Sequence, residues 1–367
     1  MLTVISFILI LGVLILVHEL GHFITAIKLG VKVEEFGIGF PPKMLAIKRK
    51  DIVYSLNWIP IGGFVKIKGE SGEGADDPAS FVNAPTWKKL SIISAGVIMN
   101  FILAFVLLSL AFYFGLPQAI DRETVSGLVE YKNVVIADVH SGSAADTAGI
   151  KIGDEIVLVN DKAFTNSQDV YNEISSSKGS EITMKVSRQG EELQFKLSAK
   201  PLSEGEEALV GIGMIDTGII RYGLFGSLWQ GLSTTGVMIW RIIQALYYLL
   251  ADLISRGQVS SEFGGPVAVA VVTGQVVKLG WIYILQFAAV LSINLGVVNF
   301  FPFPALDGGR ALFISIAAIT RRKFNEKVEG WIHNSGFIVL VFLLVLITFR
   351  DFGRYGGQIM DYVKNIF

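Results

Sequence analysis

With 367 residues, 52% of them hydrophobic and 17% charged, and a mean hydropathy of +0.56, the chain is too apolar for an ordinary soluble enzyme of its size. A formal net charge of −1 offers no basic excess for nucleic acid. The absence of cysteine excludes disulfides, thiolate metal ligands and a cysteine nucleophile, so any metal must be held by histidine and carboxylate.

The first apolar run, Met1 to Ile27, lacks a basic leader and a small-residue cleavage site, and reads as the start of a membrane span rather than a signal peptide. Inside it lies His18-Glu19-Leu20-Gly21-His22, two of only four histidines in the chain. On a helix, His18 and His22 share one face, so both rings can meet a single metal ion while Glu19 reaches a water on it. Ionisable groups at membrane depth cost roughly 2.5–3.5 kcal/mol each on insertion scales, which marks the cluster as a working site. The pattern is that of a zinc-dependent hydrolase whose substrate shares its bilayer.

Leu90 to Ile120, Leu279 to Leu306 and Trp331 to Phe349 supply three more candidate spans, each able to cross a bilayer, which requires about 20 apolar residues. Leu224 to Ile254 carries Arg241 and Asp252 among Trp229, Trp240, Tyr247 and Tyr248, which suits an amphipathic helix at the interface. Keeping it out of the bilayer leaves the third span parallel to the first. Basic residues crowd the loop from Lys28 to Lys89 and the loop holding Arg310, Arg321, Arg322, Lys323 and Lys327. The positive-inside rule makes both loops cytoplasmic and puts both termini and the middle region outside.

From Val125 to about Pro201 the composition turns soluble and short alternating runs appear. Val134–Val139, Glu155–Asn160, Glu181–Val186 and Leu193–Leu197 read as strands, the last two as a hairpin around Arg188-Gln189-Gly190, and Gln168–Ser175 as a helix. The stretch Gly142 to Asn160, with A-G-I-x-x-G-D-x-I-x-x-V-N at Ala148–Asn160, resembles a PDZ domain, although Ala144 stands where bacterial members often have proline. A PDZ groove takes an extended peptide by strand addition; the alternative role is a spacer that limits access by bulk.

Two histidines do not complete a catalytic zinc site, which keeps three protein ligands and one position for water. Asn299-Phe300-Phe301-Pro302-Phe303-Pro304-Ala305-Leu306-Asp307-Gly308-Gly309 ends the third span with helix-breaking prolines and turn-permitting glycines. Non-helical backbone at that depth is tolerated only against protein or a wet cavity, where Asp307 is then presented. His333 competes as a third ligand, but its place at the start of the fourth span suits an interfacial residue.

Taken together, the chain resembles the site-2 protease family of intramembrane zinc metalloproteases, in its bacterial RseP-like branch. The resemblance rests on H-E-L-G-H at His18–His22, Gly62-Gly63-Phe64-Val65-Lys66, the central PDZ domain, Gly264-Gly265-Pro266, and N-x-x-P-x-P-x-L-D-G from Asn299 to Gly308. The space holds one PDZ domain, where the best-known members carry two. The resemblance implies Zn2+ on His18, His22 and Asp307, Glu19 as general base, and Asn299 holding the substrate backbone. It also implies that Gly62 to Ile67, with Gly63, Phe64, Val65 and Lys66, forms a strand that dips into the membrane and pairs with an unwound substrate helix.

The expected architecture is a polytopic α-helical membrane protein of about four spans with an inserted β-rich PDZ domain. Its segments are 1–120 (two spans and the zinc motif), 121–203 (PDZ), 204–278 (amphipathic helix and linker) and 279–367 (two spans). The implied function is cleavage of transmembrane segments of single-span proteins in the bacterial cytoplasmic membrane, such as anti-sigma factors and remnant signal peptides. Partners would be those substrates, the lipid bilayer and a peptide ligand of the PDZ domain, with no nucleic acid. The competing reading is a membrane-anchored PDZ adaptor with a non-catalytic metal site; a metal transporter is disfavoured by the lack of an internal repeat.

Overall fold

The computed structural model describes residues 2–70, 72, 74–119, 129–177, 179–188, 190–198, 200–201, 208–256, 264–321 and 326–364. Val125 at the expected start of the soluble region, Gln189 of the hairpin turn, and Arg322 and Lys323 of the last basic loop lie outside the described residues. The chain forms two compact units, Met1–Leu110 with Leu228–Phe367, and Ala111–Ser227.

The first unit begins with α1 (Leu2–Lys28). It stops where Gly30 adopts a φ of 74°: Val31 N donates to Ala26 O (2.9 Å) and Gly30 N to Ile27 O (3.1 Å), the two bonds of a Schellman cap. β1 (Val33–Arg49) and β2 (Ile52–Ile67) follow, joined by Lys50 and Asp51 at φ 48° and 64°, as a two-residue type I′ turn requires. β1 meets β2 twice, with Phe36 facing Tyr54 on one side and Val65 on the other, while Lys48 faces Val53. Residues 63–67 are therefore an edge of this sheet, and the short strand expected at Gly62–Ile67 is one limb of a much larger hairpin. α2 (Thr86–Phe114) then carries the second apolar run, and Gly115 at φ 101° ends it earlier than the expected Ile120.

The second unit contains β3 (Leu116–Ala119), β4 (Val129–Val139), α3 (Ala144–Ala148), β5 (Glu155–Val159) and α4 (Ser167–Ser176). It continues with β6 (Glu181–Arg188), β7 (Glu191–Ser198), β8 (Lys200–Pro201), β9 (Ala208–Leu209) and β10 (Ile212–Ile220). Six strands form one antiparallel sheet in the order β3-β10-β4-β5-β6-β7. The period of two in β6 buries Ile182, Met184 and Val186, and the four-residue step in α4 adds Val170 and Ile174 to the same core. Ser143 caps α3 by accepting from Asp146 N, and Gly149 closes it at φ 87°.

The sheet corrects the expected boundary at 203. β10 lies between β3 and β4, so residues assigned to a linker sit inside the sheet, and residues 116–119 add an edge before 121. The misplacement has a physical source: glycines and Asp216 break the alternation of Ile212–Ile220, and β10 pairs with strands far away in sequence.

The first unit resumes with α5 (Leu224–Arg256), whose Phe225, Trp229, Leu232, Trp240, Ile243 and Tyr247 stand exposed in helical steps. α6 (Pro266–Leu279) is an apolar helix of 14 residues in the stretch expected to be linker. It packs on α1, on α7 (Trp281–Phe300) and on α9 (Glu326–Lys364), and its length falls below any hydropathy window tuned to full spans. Between α7 and α9 lies α8 (Asp307–Thr320). Four helices are long and apolar enough to cross a membrane, Thr3–Lys28, Thr86–Phe114, Trp281–Phe300 and Val328–Arg354. Ile10 and Leu14 of α1, Leu103 and Leu107 of α2, and Ala288 and Leu291 of α7 share one apolar cluster.

Candidate metal centre

α1 places His18 and His22 one turn apart, and both are buried, at 5% and 8% exposure. Asp307, the first residue of α8, enters between them. His18 Nε2 lies 3.0 Å from Asp307 Oδ2, His22 Nε2 lies 3.4 Å from it, and the two Nε2 atoms are 3.2 Å apart. A tetrahedral zinc with bonds of about 2.0 Å holds its ligand atoms about 3.3 Å from one another, so two imidazoles and a carboxylate at these separations fit that ion. Among the described residues this is the one group of three His, Cys, Asp or Glu side chains close enough to hold a metal.

The rings are held from α2. Ile92, Gly96 and Asn100 recur at four-residue steps and so line one face of that helix. His22 Nδ1 donates to Ile92 O (2.8 Å), and His18 Nδ1 faces the Asn100 side-chain amide at 3.1 Å. Between them, a Cβ on Gly96 would overlap His22 Nε2 and meet His18 Cε1 at 2.8 Å. Gly21 plays the reciprocal part on α1, because a Cβ there would run into Ala95 O. Small residues at a membrane helix contact allow the backbones this approach. Gly96 and Asn100 were missed by sequence reasoning, although one asparagine and one glycine spaced by four in an uncharged span were a readable signal.

Asp307 is positioned by a loop. α7 ends at Phe300 instead of the expected Leu306, and Pro302 and Pro304 keep 301–306 out of a helix. Gly308 and Gly309 let α8 start against this loop, since a Cβ on either would collide with carbonyls of Phe300, Phe301 or Phe303. His333 departs from its expected interfacial role: half-buried, its Nδ1 accepts from Ala305 N at 3.0 Å, and Gly336 one turn on leaves room for Pro304. It anchors the loop from α9 and stays outside the ligand group.

The remaining expected residues divide. Glu19 faces the same cavity as His22 and Asp307, and its Oε2 accepts from Val65 N at 3.1 Å. Asn299 Nδ2 lies 3.5 Å from His18 Nε2. Phe64 and Val65 line the cavity, about 200 Å³ in volume, with Ile67, Glu70, Phe81, Ile92 and Ile93. Gly63 lies in the edge strand over Leu16 of α1. Lys66 turns away and pairs with Glu34 at 2.8 Å. Glu70, which sequence reasoning did not single out, closes one side of the cavity through an ion pair with Arg310.

A carboxylate beside a His-His-Asp cluster, with that carboxylate and both histidines on a helix of membrane length, defines a class: a metal-dependent hydrolase that works within the bilayer. The chain matches Peptidase family M50 over residues 6–343 and belongs to that family, the site-2 proteases. It is 34% identical to a Clostridium acetobutylicum protein provisionally named a zinc metalloprotease, over 93% of this chain and 94% of that one. It is 28% identical to the regulator of sigma-W protease RasP of Bacillus subtilis, over 96% of this chain and 98% of that one. The PDZ domain of the SdrC-like protein of Listeria innocua, a solved structure, is 23% identical, with a TM-score of 0.21, covering 22% of this chain and 92% of that chain. The chain is a zinc metalloprotease of the membrane, and its general activity is intramembrane proteolysis.

Proposed function

We propose that His18, His22 and Asp307 hold the catalytic zinc, that Glu19 is the general base, and that Asn299 and the strand at Gly63–Lys66 hold the substrate. The observation that carries this reading is the convergence of three ligand atoms on one point, with Glu19 lining the same cavity as His22 and Asp307. Zinc bound there supplies the Lewis acidity that activates water and polarises the scissile carbonyl. Glu19 takes the proton from that water and returns it to the leaving amide nitrogen as the peptide bond breaks. A transmembrane helix has its backbone satisfied internally, so the scissile segment must first be extended, and the outer edge of the sheet at 63–67 offers replacement hydrogen bonds. Val65 N, bonded to Glu19 Oε2, ties the base to that same edge.

Substrates on this reading are single-span proteins already shortened by another protease, and remnant signal peptides. The name of the B. subtilis relative, a regulator of sigma-W, favours anti-sigma factors among them. On this reading the basic loops favour a cytoplasmic hairpin and α8, the β-rich unit lies outside as a peptide-binding PDZ domain, and the aromatic and charged residues of α5 favour the membrane surface.

The test is cleavage of a single-span substrate by the purified protein and by Glu19→Gln, with metal content determined in both. Cleavage by wild type alone, with zinc in both, is expected. Undiminished cleavage by Glu19→Gln sinks the assignment of the base.

A further inference from the structure

The two histidines make the same demand on their surroundings. For an imidazole to turn its Nε2 lone pair to a metal, the proton must sit on Nδ1 and find an acceptor there. His22 has one in Ile92 O. Among the described residues, His18 Nδ1 finds no such acceptor within hydrogen-bond distance; it faces the side-chain amide of Asn100, with Nδ2 at 3.1 Å. Asn100 is fully buried at 0% exposure, and its Oδ1 has no partner among the described residues.

An amide nitrogen donating to His18 Nδ1 would force the proton onto Nε2, opposite Asp307 Oδ2 at 3.0 Å, and leave no lone pair for a metal. A half-turn about the Cβ–Cγ bond of Asn100 exchanges two atoms of nearly equal size, and the hydrogen-bond network decides which way the amide faces. With Oδ1 toward the ring, the stranded oxygen gains a donor and His18 Nε2 is freed. The backbone at this point is also fixed, because Ser292 Oγ of α7, itself at 0% exposure, donates to Asn100 O at 2.8 Å.

We propose that Asn100 is the positioning residue of His18: its Oδ1 accepts from Nδ1–H and sets both the tautomer and the tilt of the ring toward the zinc. The proposal rests on the reading of His18 as a ligand. It differs from a purely structural role, in which a buried asparagine joins helices and any donor or acceptor serves.

The test is zinc affinity, measured by competition with a chromogenic chelator on the full chain in detergent, for wild type, Asn100→Leu, Asn100→Asp and His18→Ala. Asn100→Leu keeps the volume and removes the acceptor, and is expected to bind zinc about 10–100-fold more weakly. Asn100→Asp can only accept, and is expected to bind zinc at least as tightly as wild type. Unchanged affinity in Asn100→Leu, or a loss in Asn100→Asp as large as in Asn100→Leu, overturns the proposal. If Asn100→Leu does not fold, Asn100→Asp decides alone. Loss of zinc in His18→Ala separates that failure from failure of the ligand reading, which zinc retained in His18→Ala would sink together with the proposal.

Discussion

At the residue scale, the centre depends on a missing side chain as much as on those present. Gly96 leaves the space that both imidazoles occupy, and a methyl group there has nowhere to go but into the rings. Gly96→Ala is expected to lose about 1–3 kcal/mol through overpacking, and, because the rings yield before the helix does, to lose zinc and cleavage together. Metal content after dialysis, read beside a thermal melt, checks this; a variant that keeps zinc and activity contradicts the packing account. The histidine pair and Glu19 were legible because ionisable groups stand out in an apolar run. Gly96, Asn100 and His333 carry weaker signals, and their roles are set by what another helix brings to them.

Outside the spans, Asp77 accepts from Lys68 Nζ (2.8 Å) and Ala79 N (2.9 Å), and these bonds hold its carboxyl down at about 2. A lowered carboxyl contributes stability that is present above the ordinary value of about 3.9 and lost as pH falls toward the folded value. The melting temperature of wild type should therefore exceed that of Asp77→Asn at neutral pH, with the gap closing as pH falls from about 4 toward 2. The pair is only partly buried, so the gap is small and shrinks in salt. A gap that survives at the acid end would contradict this origin.

At the element scale, Gly264-Gly265-Pro266 acquires a reason. Pro266 starts α6, and Gly265 at its N-cap has no side chain to satisfy the first amides. Asp351 of α9, 2% exposed, does so from across the contact, its Oδ2 accepting from Gly265 N (2.9 Å) and Ala268 N (3.0 Å). A Cβ on Gly265 would sit 2.6 Å from Ile347 Cγ2, so glycine is what lets α9 approach. Asp351→Ala should destabilise the protein by about 0.5–2 kcal/mol, the usual worth of an N-cap. Asp351→Asn should recover most of the loss in a thermal melt; equal melting of all three would show the cap to be dispensable. The motif was visible in the sequence, but its partner lies 83 to 86 residues away. The same limit explains β10, which pairs with strands far away in sequence; the β1–β2 hairpin is local, but glycines and prolines interrupt its alternating pattern.

At the scale of the whole molecule, a chain without cysteine allows single thiols to be introduced as position markers. With the proposed orientation, an impermeant thiol reagent applied to intact cells should label Glu191→Cys in β7. It should label Lys50→Cys, at the tip of the β1–β2 hairpin, only after permeabilisation. The reverse pattern would invert the topology drawn from the basic loops.

By itself the sequence determined that this is a membrane protein of four spans and that it carries zinc-hydrolase chemistry. Those properties are written in composition, in an i, i+4 spacing and in the conflict between charge and hydrocarbon, all of which are local. Only the tertiary structure decided that α2 orients both histidines, that α9 anchors the loop before Asp307 and caps α6, and that β10 closes the second unit's sheet. Each of these is a contact between segments distant in the chain, and close packing, rather than any pattern along one segment, selects the partner.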